Sequence, residues 1–214
     1  MVFHALHRGV GRMTIFSTDR DDQAFEETME ETLRLYAMRI VAYCLMPNHW
    51  HFVLWPENDG DLSAFLQRLT NTHTQRWQRA KRKVGYGHLY QGRFKSFPVE
   101  TDAHFYTVVR YVERNALRAN LVERAEAWRW GSLWRRVNNV SSPLLSPWPL
   151  PEPRNWIEIV NQPQTEAELA AIRRCIPRGC PYGHGDWIER TAKILGLEST
   201  LRPRGRPRIK PADG

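Results

Sequence analysis

The chain of 214 residues carries 31 Lys and Arg against 23 Asp and Glu, a formal net charge of +8. No window approaches the ~18 apolar residues of a membrane helix, and the opening stretch lacks the apolar core of a secretion signal. Three cysteines, Cys44, Cys175 and Cys180, are too few and too odd in number for a disulfide framework. What remains is one well-buried domain with a smaller appendage, a cytoplasmic location and, from the basic excess, an anionic partner. Nine tryptophans suit stacking on unpaired bases as well as ordinary packing.

Residues 2–8 have the apolar, aromatic and β-branched character of a first strand, ended by Arg8-Gly9. An acidic stretch from Asp19 opens a helix. Phe25, Met29, Leu33, Tyr36 and Ile40 recur on it at helical spacing, with Glu26, Glu27, Glu30 and Glu31 on the other side. Residues 39–46 form a second strand, and Pro47-Asn48 turns the chain into a third, making an antiparallel hairpin. A long helix follows residues 56–60, with Asp61 or Ser63 at its cap and Leu62, Phe65, Leu66, Leu69, His73, Trp77 and Ala80 along its apolar stripe. Its second half carries Arg76, Arg79, Lys81, Arg82 and Lys83 with no acid among them. That uniform sign predicts phosphate contact, the alternative being a solvated face.

Gly85 and Gly87 end the helix, and a loop from His88 leads into a strand over residues 94–99. Gln91, Arg93 and Lys95 are interleaved there with aromatics, a pattern that suits nucleic-acid contact and equally an edge strand with solvated basic residues. Thr101 or Asp102 caps the next helix, residues 102–115. The order β-α-β-β-α-β is that of the ferredoxin-like split βαβ unit. The fold class expected is therefore α+β, a ferredoxin-like or RRM-like antiparallel sheet with helices on one face. The 102–115 helix is extra to that unit and must pack near the sheet.

Residues 138–153 contain five prolines and read as a linker or surface wrap. Thr165–Arg174 and Asp186–Leu195 read as two short helices of an accessory region, residues 154–200. The end, residues 201–214, interleaves basic residues with Pro and Gly and cannot fold alone. Residues 1–137 are left as the catalytic unit.

Chemistry centres on Tyr43–Trp55, which holds His49 and His51. On a strand, residues i and i+2 share a face, so the two imidazoles project together and Trp50 points away. They are a ready pair of metal ligands or two polar residues on a solvated face. A metal wants a further partner, and residues 102–115 offer Tyr106, Tyr111, Glu113 and Asn115. Tyr111 and Asn115 are four apart and share a helix face. Spacing alone does not choose Tyr111, because a helical Tyr is ordinarily a packed aromatic. Cys175, Cys180 and His184 lack a fourth partner for zinc at a sensible spacing.

Three blocks occur in order: Tyr43-Cys44-Leu45-Met46-Pro47-Asn48-His49-Trp50-His51-Phe52, Gly92-Arg93-Phe94-Lys95-Ser96, and Arg110-Tyr111-Val112-Glu113-Arg114-Asn115-Ala116-Leu117-Arg118-Ala119. Together they resemble the single-tyrosine HUH transposases, named for the His-hydrophobe-His motif, and most of all the REP-associated tyrosine transposases. The resemblance implies that His49 and His51 bind a divalent metal, Mg²⁺ or Mn²⁺, that Asn115 completes the metal site, and that Tyr111 is the catalytic nucleophile. It implies metal-dependent cleavage and joining of single-stranded, hairpin-bearing DNA through a 5′-phosphotyrosine. The chain departs from the family in having Asn115-Ala116 and Arg118-Ala119-Asn120 where Asn-Pro and then Arg-Ala-Gly are usual.

DNA contact is expected from Arg76, Arg79, Lys81, Arg82, Lys83, Gln91, Arg93 and Lys95, from Arg110 and Arg114 beside Tyr111, and from Arg204 and Arg206. The last two lie in Pro203–Pro207, which looks like the core of an AT-hook contacting AT-rich duplex. The protein is expected as a monomer or homodimer. Two rival readings stay open at this point: a non-catalytic DNA- or RNA-binding protein on the same fold, and a phosphodiesterase that uses water while Tyr111 is structural.

Overall fold

The computed structural model describes residues 1–140 and 144–202. Strands β1 (Val2–Arg8), β2 (Met38–Met46), β3 (His49–Pro56) and β4 (Lys95–Val99) form one antiparallel sheet in the order β2-β3-β1-β4. This is the ferredoxin-like order expected. It puts β3 at the centre, where His51 lies across from Leu6 of β1 and Cys44 of β2.

Helices α1 (Asp19–Leu33) and α2 (Asp61–Ala80) cover one face of the sheet. The period-2 alternation sends Tyr43, Leu45, Trp50, Phe52 and Leu54 into a core with Phe25, Met29, Phe65, Leu66 and Leu69. A capping box between Thr18 and Asp21 starts α1. It stops at Leu33, so Tyr36 and Ile40 fall beyond it, and Ile40 joins the same core from β2. At the start of α2 the cap is Gly60, in the left-handed conformation at φ 88°, rather than Asp61 or Ser63.

Helices on one face describe α1 and α2 only; the second face is covered as well. Helices α3 (Ala103–Glu113), α4 (Asn115–Arg118), α5 (Ser132–Val137), α6 (Trp156–Asn161), α7 (Glu166–Arg178), α8 (Gly185–Leu195) and α9 (Glu198–Leu201) follow β4. Phe105, Val108 and Val112 of α3, Trp156 and Val160 of α6, and Leu169 and Ile172 of α7 pack on Val41, Cys44, Val53 and Phe97. The reason is in the strands: β2 is apolar on both sides, and Val2, Val53, Phe97 and Val99 extend its second apolar face, so the sheet needs two covers. Residues 154–200 thus share a core with the sheet. The Pro-rich stretch wraps the edge of β2, where Ser146 N–H donates to Ile40 C=O at 2.9 Å and Trp148 Nε1 donates to Val41 C=O at 3.3 Å. The AT-hook-like segment with Arg204 and Arg206 lies outside the described residues.

Candidate active site

Alternation along β3 drives Trp50 and Phe52 into the first core and leaves His49 and His51 on the second face, ring centroids 5.0 Å apart. A third imidazole, unanticipated from the sequence, comes from β1: His4 is fully buried, and its Nε2 is 2.9 Å from His51 Nδ1. His49 Nδ1 is 2.6 Å from Asn48 Oδ1. In both His49 and His51, Nδ1 is engaged, and among the described residues Nε2 has no hydrogen-bond partner.

The surroundings keep these rings neutral. Burial, with Arg8 and Arg118 nearby, lowers His49 to about 4. Burial and then the charges of His49, His4, Arg118 and Arg8 hold His51 well below its ordinary value. Burial alone lowers His4 to about 3. Neutral imidazoles with free Nε2 lone pairs are what a divalent cation requires, so the donor set fits a metal. That fit assigns a tautomer: His51 must carry its proton on Nδ1 and donate it to His4 Nε2. The remaining proton of His4 then sits on Nδ1, which is buried without a partner.

Tyr111 comes from α3, whose Phe105, Val108 and Val112 anchor the helix in the core. Its ring is 5% exposed and meets His51 edge-on with centroids 5.6 Å apart, and His4 at 6.1 Å. Asn115 opens α4, one turn on, and is buried with its Nδ2 unpartnered. The next N–H, of Ala116, points at the Cys44 thiol, and Cys44 is the cross-strand neighbour of His51. The usual proline at position 116 is therefore not needed to seat this turn beside the histidine strand. The other candidate ligands are committed elsewhere. Tyr106 donates to Pro151 C=O at 2.7 Å, and Glu113 accepts from Ser132 at 2.6 Å and from Trp156 at 2.7 Å.

Arg118 was not singled out from the sequence, yet its guanidinium lies 4.1 Å over the Tyr111 ring. It also donates to Tyr111 C=O at 3.3 Å. The available signal was its spacing, seven residues or two turns beyond Tyr111.

The basic residues divide. Arg76 is paired with Glu31 at 2.7 Å and Lys81 with Asp21 at 2.8 Å, so acids of α1 supply the counter-charge that α2 lacks in its own sequence. Arg110 donates to Gln162 and Pro163 C=O, and Arg114 to Val160 and Asn161 C=O. Both therefore help satisfy the open carbonyls at the C-terminal end of α6. Arg79, Arg82, Lys83, Gln91, Arg93 and Lys95 are exposed. Arg93 and Lys95 border a cleft of about 640 Å³, with Gln67 and Asn71 of α2 on the other wall.

Two further groups bear on metals. Cys175 and Cys180 lie against each other, Sγ to Sγ 3.3 Å, and His184 is not with them. His184 instead joins Glu100, Asp102 and His104, whose ligand atoms all lie within 4.8 Å of one another. This group could hold a metal ion and is separate from His49 and His51. The Glu-x-Asp-x-His spacing was visible in the sequence, but nothing there brought His184 to it.

A family model described as IS200-like transposase matches residues 1–115, a span that includes His49, His51, Tyr111 and Asn115. A curated Haemophilus influenzae protein, provisionally described as a REP-associated tyrosine transposase, is 23% identical over 121 residues, covering 53% of this chain and 69% of its own length. A solved REP-associated tyrosine transposase bound to a REP hairpin superposes with a TM-score of 0.53 at 18% identity, covering 72% of this chain and 88% of that one. At that identity the likeness shows the fold.

Proposed function

The chain belongs to the IS200-like transposase family, and from that premise we propose that it cleaves and rejoins single-stranded DNA at hairpin-bearing repeats through a 5′-phosphotyrosine on Tyr111. The observation that carries this reading is the Tyr111 ring set against His51 within a group of three neutral imidazoles. His49 and His51 would hold a divalent metal, Mg²⁺ or Mn²⁺, through Nε2, with Asn115 adding an amide oxygen. Such a cation would neutralise a phosphodiester and polarise it towards attack.

A free tyrosine ionises near pH ~10, so its phenolate needs help. Arg118, stacked on the ring, supplies positive charge. Tyr111 Oη would bond to phosphorus as the P–O3′ bond breaks, and the departing oxygen would take up a proton to leave a free 3′-hydroxyl. A 3′-hydroxyl of another strand can reverse the step, so one phosphoester bond is kept throughout and no external energy is needed. The exposed Arg79, Arg82, Lys83, Gln91, Arg93 and Lys95 give a surface for the DNA backbone. The fold relative solved with a REP hairpin supports a hairpin substrate. Arg204 and Arg206 would add AT-rich duplex affinity. Within this reading, residues 1–137 are the catalytic unit, residues 138–153 its wrap and residues 154–200 its brace.

Incubation with labelled hairpin single-stranded DNA and Mg²⁺ or Mn²⁺ should give an SDS-stable protein–DNA adduct. Tyr111→Phe should lower it by at least about a thousandfold. Cleavage without an adduct would instead favour the water-using phosphodiesterase. Binding without cleavage in any metal would favour the non-catalytic module.

A further inference from the structure

At the far end of the sheet from the histidine pair, four side chains from two parts of the chain meet. His49 pairs with Arg8 at the end of β1, whereas Val99, just before Glu100, pairs with Val2 at its start. Glu100 follows β4, Asp102 caps α3, His104 lies in the first turn of α3, and His184 caps α8.

His184 Nδ1 is 3.1 Å from Glu100 Oε2 and 3.1 Å from Asp102 Oδ2. His104 Nδ1 is 2.9 Å from Asp102 Oδ1 and 4.0 Å from Glu100 Oε2. The two rings stand edge to face with centroids 4.7 Å apart. A tetrahedral zinc with ligands at 2.0–2.1 Å needs ligand atoms about 3.3 Å apart. The histidine–carboxylate separations bracket that figure, and the widest pair, within 4.8 Å, would close by up to about 1.5 Å as an ion entered. The donor set, two imidazoles and two carboxylates, suits Zn²⁺ and its borderline neighbours better than Mg²⁺.

The backbone is shaped for this meeting. Glu100 Oε2 accepts from His184 N–H at 2.7 Å, and Asp102 Oδ1 accepts from His104 N–H at 2.8 Å, so both carboxylates are oriented by bonds outside the ligand set. A Cβ at Gly183 would stand 2.6 Å from Glu100 Oε2 and 2.8 Å from Glu100 Cβ. Only glycine lets this strand of chain approach the carboxylate so closely. The same segment runs parallel along β4: Glu100 N–H donates to Tyr182 C=O and Tyr182 N–H donates to Pro98 C=O, each at 2.9 Å.

We propose that Glu100, Asp102, His104 and His184 bind a zinc-class divalent cation that fastens the C-terminal segment to the start of α3. The ion is structural. It clamps the helix that carries Tyr111, two turns before that residue, and takes no part in phosphoryl transfer. Binding displaces the Nδ1 protons that His104 and His184 now share with the carboxylates, and these pass to solvent or to Nε2.

The test uses the full chain, stripped with a chelator, reloaded with Zn²⁺, desalted and measured by elemental mass spectrometry alongside a thermal melt. Wild type should retain one equivalent that His49→Ala/His51→Ala also retains, with a rise in melting temperature on adding Zn²⁺. His184→Gln, a change at an exposed side chain, and Gly183→Ala should each lose that equivalent and the rise. Equal zinc content in wild type and His184→Gln would overturn the proposal. So would loss of all bound zinc in the His49→Ala/His51→Ala protein. Neither result bears on adduct formation by Tyr111, which is read separately with Mg²⁺ or Mn²⁺.

Discussion

The sheet buries histidines on both faces, and they differ in their company rather than in their depth. On the α1/α2 face, Tyr90 keeps His7 and His73 apart. Its hydroxyl accepts from Trp50 Nε1 at 3.0 Å and donates to His73 Nδ1 at 2.6 Å, while His7 stacks on its ring at 4.1 Å. Burial lowers His73 to about 3 and His7 to about 4. On the other face, His49 and His4 are lowered as far, but each touches His51, and His51 and His4 both meet Tyr111. A depressed pKa therefore does not mark the site by itself. What distinguishes the second face is like groups that would repel if charged, gathered beside a tyrosine.

Substitutions on the two faces should separate accordingly. The largest effect is expected from His51→Ala, which should lower hairpin cleavage per folded molecule by at least about a thousandfold. Next comes His4→Phe, which keeps the packing but removes the acceptor that sets the His51 tautomer. It should weaken Mn²⁺ affinity ~10–100-fold, read by calorimetric titration, with the fold intact. On the scaffold face, Tyr90→Phe should cost ~1–3 kcal/mol of stability and leave cleavage per folded molecule unchanged. If Tyr90→Phe and His51→Ala damage cleavage equally, the distinction between the faces is lost.

The smallest effect is a pH dependence on the scaffold face. Burial, and then the carboxylates of Asp19, Asp21 and Glu26, raise Asp22 from its ordinary value to about 7. The folded state thus prefers the protonated form. Its contribution is present below about pH 4 and is lost as pH rises through about 7. Asp22→Asn should be more stable than wild type at pH 8 and match it near pH 4, in urea melts at the two pH values. A stability gap that does not change with pH would remove Asp22 from the account.

Much of this was legible in the chain. Alternation around Trp50 was enough to place His49 and His51 together, and the β-α-β-β-α-β order to give the sheet. The second cover of the sheet was not, because α6 is only 6 residues long and its Trp156 meets Tyr106 of α3 from some fifty residues away in sequence. For the same reason Arg76 and Lys81 looked like free charge: their acids, Glu31 and Asp21, sit on another helix. Nor did the sequence show that Arg110 and Arg114 reach the carbonyls at the end of α6. His4 escaped notice because one histidine in an apolar strand carries no spacing signal; only pairing β1 with β3 sets it against His51.

The central claim is that Tyr111 carries the DNA. The most direct measurement is to trap the adduct on hairpin DNA, digest both components, and locate the added nucleotide mass by tandem mass spectrometry. The expected result is a 5′-linked nucleotide phosphate on Tyr111, absent from His51→Ala. A nucleotide on Tyr106 or any other residue, or cleaved DNA ends with no modified peptide, would contradict it.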